Sequence, residues 1–162
     1  WFNPTVNSYK RINAPVTDSG ATWSPNTITY SDNNRTHMIR VPGSGRFELR
    51  LMDGATNPYL LQAGIIAAGI DGIENNRNPG KPSFLNMYAE AHKAKSAKKL
   101  PKNLETALSH LSKSKVMNKA FSKETINSYV KLRSLDIKDF KKSKDSKKKG
   151  ITEWEKLNTL DC

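Results

Sequence analysis

The sequence predicts an α+β fold in which antiparallel strands are followed by packed helices. Three features lead there. Thr36 to Val41 and Arg46 to Leu51 each alternate in polarity with a period of two, separated by Pro42-Gly43-Ser44-Gly45. At Asn57-Pro58 the apolar period changes to the helical one. Beyond that point every periodic segment reads as helix.

The elements follow in order. Residues 1–35 are rich in Asn, Pro, Thr, Ser and Gly and read as ordered loops around short strands, with Thr27 to Tyr30 a short strand before the Asp32-Asn33-Asn34 turn. The four residues Pro42 to Gly45, two of them glycine, suit a tight antiparallel connection. On the second strand Arg46, Glu48 and Arg50 share a face opposite Phe47, Leu49 and Leu51. On the first, Met38 and Arg40 share a face opposite His37, Ile39 and Val41. One sheet face is therefore expected to pack against helices while the other presents charge.

Asn57 can cap a helix, and Pro58 suits its first position. Leu60, Leu61, Ile65, Ile66, Ile70 and Ile73 recur at helical spacing, so this segment is expected to be a buried helix ending between Glu74 and Asn78. It is too short and too interrupted to cross a bilayer. Gly64 and Gly69 suggest close backbone approach, because glycine otherwise weakens a helix. A loop to Pro101 follows. Leu104, Ala107, Leu108 and Leu111 then form an amphipathic stripe, Ser122 to Ser134 a further helix, Ile137 to Lys144 another, and Ile151 to Leu160 a last one.

The formal net charge of +12 is uneven. Residues 1–75 are neutral, with six basic and six acidic side chains, and the excess lies in residues 76–162, most densely from Lys138 to Lys149. A nucleic-acid module would combine such charge with exposed aromatics, a reading helix or a metal finger, and none of these is clear. A solvated helix face and charged loop is the simpler reading. The single cysteine, Cys162, permits no internal disulfide and fits a reducing, cytoplasmic setting. No charged leader followed by an apolar segment can be read at the start.

The chemistry concentrates in five guanidinium groups within the first fifty residues: Arg11, Arg35, Arg40, Arg46 and Arg50. The planar fork of arginine binds carboxylate or phosphate through paired hydrogen bonds, so the set implies oxyanion partners. Glu48 lies among them and must pair with an arginine or hold a cation. Composition alone leaves open a surface strand with cross-strand salt bridges or a metal-and-phosphate site, since one glutamate is no metal signature. His37 reads as a packed core histidine, His92 and His110 as surface or helix-cap residues, and Tyr88 as a packing residue.

Several blocks in order resemble the catalytic region of the glutamine synthetase family. They are Asn7-Ser8-Tyr9-Lys10-Arg11, Asn34-Arg35, Met38 to Pro42, Arg46 to Arg50, Asn57 to Leu60 and Ala68 to Ile73, with Leu100-Pro101, Asn103-Leu104 and Trp154-Glu155 later. The resemblance implies that residues 1–162 are the C-terminal part of the catalytic domain, without the N-terminal β-grasp domain or the upstream catalytic strands. It implies ATP-dependent ligation of ammonia to the γ-carboxylate of L-glutamate through γ-glutamyl phosphate, with Mg²⁺ or Mn²⁺. By the same resemblance Glu48 is a metal ligand, Arg11 and Arg50 bind glutamate, and Arg35, Arg40 and Arg46 surround the nucleotide phosphates, with Arg35, Arg40 and Glu48 taking part in catalysis. The implied partners are identical subunits in a stacked-ring dodecamer.

The short Pro42 to Gly45 connection looks closer to the branch that includes γ-glutamylmethylamide synthetases, which use methylamine. Asn86-Met87-Tyr88-Ala89 resembles the site of the tyrosine that some bacterial members adenylylate, but lacks the Asp-Leu-Pro continuation. On its own the 162-residue chain is expected to be inactive. Two readings of another class stand beside the ligase: a basic module that binds nucleic acid through Lys138 to Lys149, and a non-catalytic assembly module.

Overall fold

The computed structural model describes residues 1–14, 23–148 and 150–159. The chain forms two compact units, one of residues 10–52 and 79–100 and the other of residues 1–9, 53–78 and 101–162. Lys149, Leu160 and Cys162 lie outside the described residues, and with them the sequence readings that fall there.

The sheet unit holds three strands in the order β1-β2-β3: β1 Tyr30–Ser31, β2 Ile39–Gly43 and β3 Arg46–Leu49. The expected hairpin forms, β2 and β3 being antiparallel, and Ser44-Gly45 turns the chain with Gly45 at φ +72°. That left-handed conformation favours glycine. Pairing runs past Pro42 to Gly43, so the connection is tighter than the four residues expected. β1 joins β2 in parallel, with Tyr30 opposite Ile39 and Ser31 opposite Arg40, so the sheet is mixed. Of the strand expected from Thr27 to Tyr30, Tyr30 lies in β1 and Thr27 forms an isolated bridge to Lys99.

The apolar face of the hairpin is less covered than its alternation suggests. Phe47 is 60% exposed and Val41 38%, whereas Leu51 is buried. The alternation shows which side chains share a face but not what lies above them.

Sequence reasoning missed a five-residue helix, α1 (Ser8–Ile12). Thr5 and Ser8 cap its start reciprocally, the Thr5 amide donating to Ser8 Oγ and the Ser8 amide to Thr5 Oγ1, both at 3.1 Å.

In the helical unit α2 spans Pro58–Glu74, and Asn57 Oδ1 accepts from the amides of Tyr59 and Leu60 at 3.0 and 3.1 Å. Its start and end lie where expected, but its burial does not. Gly64 is buried, and a Cβ built there would lie 3.2 Å from the Trp1 ring. Tyr59, Ile66, Ile70 and Ile73 are 49–82% exposed, and Gly69 meets nothing within 4 Å. Apolar side chains surround this helix, which is the pattern of an element buried on several sides. Among the described residues only one side has a partner.

The last helices are α4 (Leu104–Lys113), α5 (Lys115–Ala120), α6 (Lys123–Lys142) and α7 (Glu153–Thr159), preceded in the sheet unit by the short α3 (Met87–Glu90). The two helices expected between Ser122 and Lys144 are the single 20-residue α6. Neither glycine nor proline breaks the chain there, and Ser134 Oγ turns back to the Val130 carbonyl at 2.7 Å, so it stays inside the helix. The core is formed by Leu104, Leu108, Ile126 and Ile137. Trp1 packs on Phe121 and Tyr129, with ring centroids 5.1 and 4.8 Å apart. At α7, Thr152 and Glu155 form a buried capping box, the Thr152 amide donating to Glu155 Oε2 at 2.8 Å and the Glu155 amide to Thr152 Oγ1 at 3.3 Å.

Candidate functional site

The charged face of the β2–β3 hairpin brings three of the sequence-derived residues into contact. Arg40 and Glu48 are direct cross-strand partners. Arg40 Nη1 donates to Glu48 Oε2 at 2.9 Å, and Arg50 Nη1 donates to the same oxygen at 3.3 Å. Arg40's hydrogen bond, with the attraction of both guanidinium groups, holds the Glu48 carboxyl below its ordinary range. The carboxylate is therefore ionised at neutral pH, and its Oε1 makes no hydrogen bond among the described residues. Arg50 Nε is buried without a hydrogen-bond partner among them. Such a donor marks a place where an acceptor belongs.

Arg11, on the last turn of α1, donates from Nη2 to the Leu51 carbonyl at 2.7 Å, which fixes its guanidinium beside the residue that follows Arg50. Arg35 and Arg46 are exposed, Arg35 in the turn before β2 and Arg46 at the hairpin end, and among the described residues no hydrogen bond or ion pair joins either to the cluster. The structure thus gathers Arg40, Glu48 and Arg50, places Arg11 at the same strand end, and leaves Arg35 and Arg46 projecting.

Sequence reasoning missed the asparagines that hold this face. Asn33 Oδ1 accepts from Arg40 Nε at 2.9 Å and also from Arg40 Nη2. Asn34 Oδ1 accepts from the amide and hydroxyl of Thr36 at 2.9 and 2.7 Å, while its Nδ2 donates to the Leu85 carbonyl at 3.1 Å. The Asp32-Asn33-Asn34 run marks a turn in the sequence, but which asparagine faces an arginine depends on the path of the turn.

His37 is a fully buried strut, as its alternation suggests. Nε2 donates to the Leu85 carbonyl at 3.0 Å, and Nδ1 therefore accepts from Thr29 Oγ1 at 2.9 Å. Burial lowers its pKa. His92 and His110 are exposed. The Tyr88 hydroxyl is buried without a partner among the described residues, and its ring meets Trp23 edge-on at 5.4 Å. Lys141 pairs with Glu105 at 2.8 Å and Lys148 with Asp145 at 2.6 Å, as on a solvated charged face.

Glu48 suits one position around a hard cation, because it offers an ionised oxygen without a protein donor. It does not make a complete site: no cluster of three or more His, Cys, Asp or Glu able to hold a metal occurs among the described residues. No described helix is long and apolar enough to cross a membrane.

The described residues thus form a mixed sheet that carries a carboxylate between two arginines, followed by packed helices. Residues 1–155 match the family described as glutamine synthetase, catalytic domain, and the chain belongs to the glutamine synthetase family. It is 54% identical over 159 residues to a glutamine synthetase of Rhizobium leguminosarum bv. phaseoli, covering 98% of this chain and 35% of the relative. It is 39% identical over 161 residues to a glutamate–methylamine ligase of Methyloversatilis universalis, covering 98% and 34%. A solved structure described as a GmaS/ADP complex superposes with a TM-score of 0.81 at 50% identity, covering 99% of this chain and 35% of that one. The chain therefore spans about a third of the length of the relatives it matches.

Proposed function

We propose that this chain is the part of a glutamine synthetase-type catalytic domain that binds anionic groups, in a ligase that couples ATP cleavage to amide formation on the γ-carboxylate of L-glutamate. The observation that carries the reading is the Arg40–Glu48–Arg50 cluster, with one carboxylate oxygen and one buried guanidinium donor still open. In this reading Arg50 and Arg11 receive the glutamate substrate, and Arg35, Arg40 and Arg46 face the nucleotide phosphates. Glu48 contributes one ligand to Mg²⁺ or Mn²⁺, which when bound neutralises phosphate charge. Arg40 and Arg50 keep the Glu48 carboxylate ionised and fixed in direction. The same two arginines supply positive charge that need not reorganise when an anion arrives.

The amine we assign is methylamine rather than ammonia, which reverses the order of the two readings given by the sequence. The superposed GmaS structures and the glutamate–methylamine ligase relative support it, as does the short β2–β3 connection. Ammonia is the second reading, favoured by the glutamine synthetase relatives at 54% and 51% identity. Steady-state assays of the complete ligase with each amine decide between them. A higher kcat/KM for methylamine is expected, and a preference for ammonia overturns the assignment.

We also propose that the remaining metal ligands, the β-grasp domain and the other catalytic strands come from residues beyond these 162. The exposed stripe of Tyr59, Ile66, Ile70 and Ile73 on α2 supports this, because a larger catalytic domain would cover it. In a cytoplasmic, stacked-ring dodecamer each site would take residues from a neighbouring subunit. The 162-residue chain alone, with one candidate metal ligand, is expected to form no amide product. Mg²⁺-dependent product formation by the purified chain would refute that.

A further inference from the structure

Arg40 is gripped on two sides, and the two grips differ in charge. Glu48 Oε2 accepts a hydrogen bond from Nη1 and is itself shared with Arg50. On the other side the fork of Nε and Nη2 closes on the single oxygen of Asn33. Arginine has no acceptor, so the carboxamide must present its oxygen there. Each Nη then keeps one N–H without an acceptor among the described residues.

Asn33 fixes the orientation of Arg40 without adding negative charge. Arg40, Arg50 and Glu48 together carry one net positive charge, and a carboxylate in place of Asn33 would cancel it. A flexible arginine must lose rotamer freedom when it binds an anion, and a side chain already held loses less. We infer that Asn33 is a positioning residue that pre-orients Arg40 towards an anionic group while leaving its charge intact. The inference rests on the reading of Arg40 as a nucleotide-phosphate contact.

The test uses the complete ligase with ADP as the probe. Binding is measured by titration calorimetry for wild type, Asn33→Ala, Asn33→Asp, Arg40→Ala and the Asn33→Ala/Arg40→Ala double variant, with thermal midpoints alongside. Asn33→Ala is expected to weaken ADP binding about tenfold, the scale of a lost hydrogen bond to a charged group. The double variant should bind no more weakly than Arg40→Ala, because Asn33 acts only through Arg40. Asn33→Asp keeps the shape and the fork acceptor but cancels the charge. It should weaken ADP binding at an unchanged thermal midpoint, which a merely structural turn residue would not do.

If both Asn33 variants bind ADP as wild type does while Arg40→Ala binds weakly, the positioning role is overturned and the assignment of Arg40 stands. If the losses simply add in the double variant, Asn33 acts independently of Arg40 and the inference fails. If Arg40→Ala binds ADP normally, the phosphate reading of Arg40 fails and the inference falls with it.

Discussion

Replacing His37 with leucine tests how the sheet unit is pinned together. The imidazole is wholly inaccessible and joins two separate stretches, the Thr29 hydroxyl before β1 and the Leu85 carbonyl before α3. Leucine fills much of the volume but leaves the Thr29 hydroxyl without its partner, while the Leu85 carbonyl keeps only the bond from Asn34 Nδ2. An orphaned polar group costs about 1–3 kcal/mol, and only the hydroxyl is orphaned, so the loss is about 1–3 kcal/mol. The Thr29 hydroxyl can rotate to find another acceptor, which favours the lower half of that range.

A second signature is pH. Burial lowers the folded pKa of His37 below its ordinary value of 6.5, so between the two values the unfolded chain holds more protons. Stability is then fully present above about pH 6.5 and falls as pH drops towards the folded pKa, at no more than about 1.4 kcal/mol per pH unit for one proton. Urea unfolding of the wild type and His37→Leu between pH 7.5 and 5 reads both effects. The variant should be less stable at pH 7.5, and its profile should lack the decline due to His37. Equal stability at pH 7.5, or an undiminished decline in the variant, would refute the reasoning.

Two further substitutions separate roles within the charged cluster of the complete ligase. Glu48→Gln keeps the shape but loses the charge, so it should weaken Mn²⁺ binding and phosphoryl transfer together, as read by metal titration and kcat. Arg50→Lys keeps the charge but loses the fork, so it should raise the KM for glutamate and leave metal affinity nearly unchanged. Normal metal use by the first, or unchanged glutamate kinetics in the second, contradicts that division. On α2, Gly64→Val forces a branched side chain onto Trp1 and Phe2 and should cost about 1–3 kcal/mol. Gly69→Ala enters open space and should add about 0.5–1 kcal/mol by helix propensity, both read by urea unfolding of the 162-residue chain.

The sequence was most informative where local chemistry decides the outcome. Asn57-Pro58 announces α2 because the cap and the fixed proline φ act within one turn. The hairpin and the core role of His37 follow from period-two alternation. What escaped depends on partners distant in sequence. The exposure of Ile66, Ile70 and Ile73 cannot be read from a pattern that fits a buried helix, since the pattern records only what the residues prefer. The short α1 escaped because the Thr5–Ser8 pair that caps it sits in a stretch whose composition suits loops. The pairing of β1 with β2 in parallel depends on the path of the Asp32 to Met38 turn, which alternation does not encode.

The charged cluster itself depends on one irregularity. At the hairpin end Gly43 pairs with Arg46, and continued in regular register that pairing would set Arg40 opposite Leu49 and Val41 opposite Glu48. Cross-strand partners share a face, so Arg40 and Glu48 would then lie on opposite faces. Instead Arg40 pairs with Glu48, because Val41 and Pro42 together oppose the single residue Phe47. Two residues facing one is a β-bulge, and proline is tolerated there because the bulged position need not donate to the ladder. The bulge turns Arg40 onto the face of Glu48 and Arg50, while the tight Ser44-Gly45 turn fixes how far from the hairpin end the shift occurs. Alternation alone groups Arg40 with Met38 and Glu48 with Arg50 but cannot join the two sets. The residue that joins them is Pro42, which carries no charge.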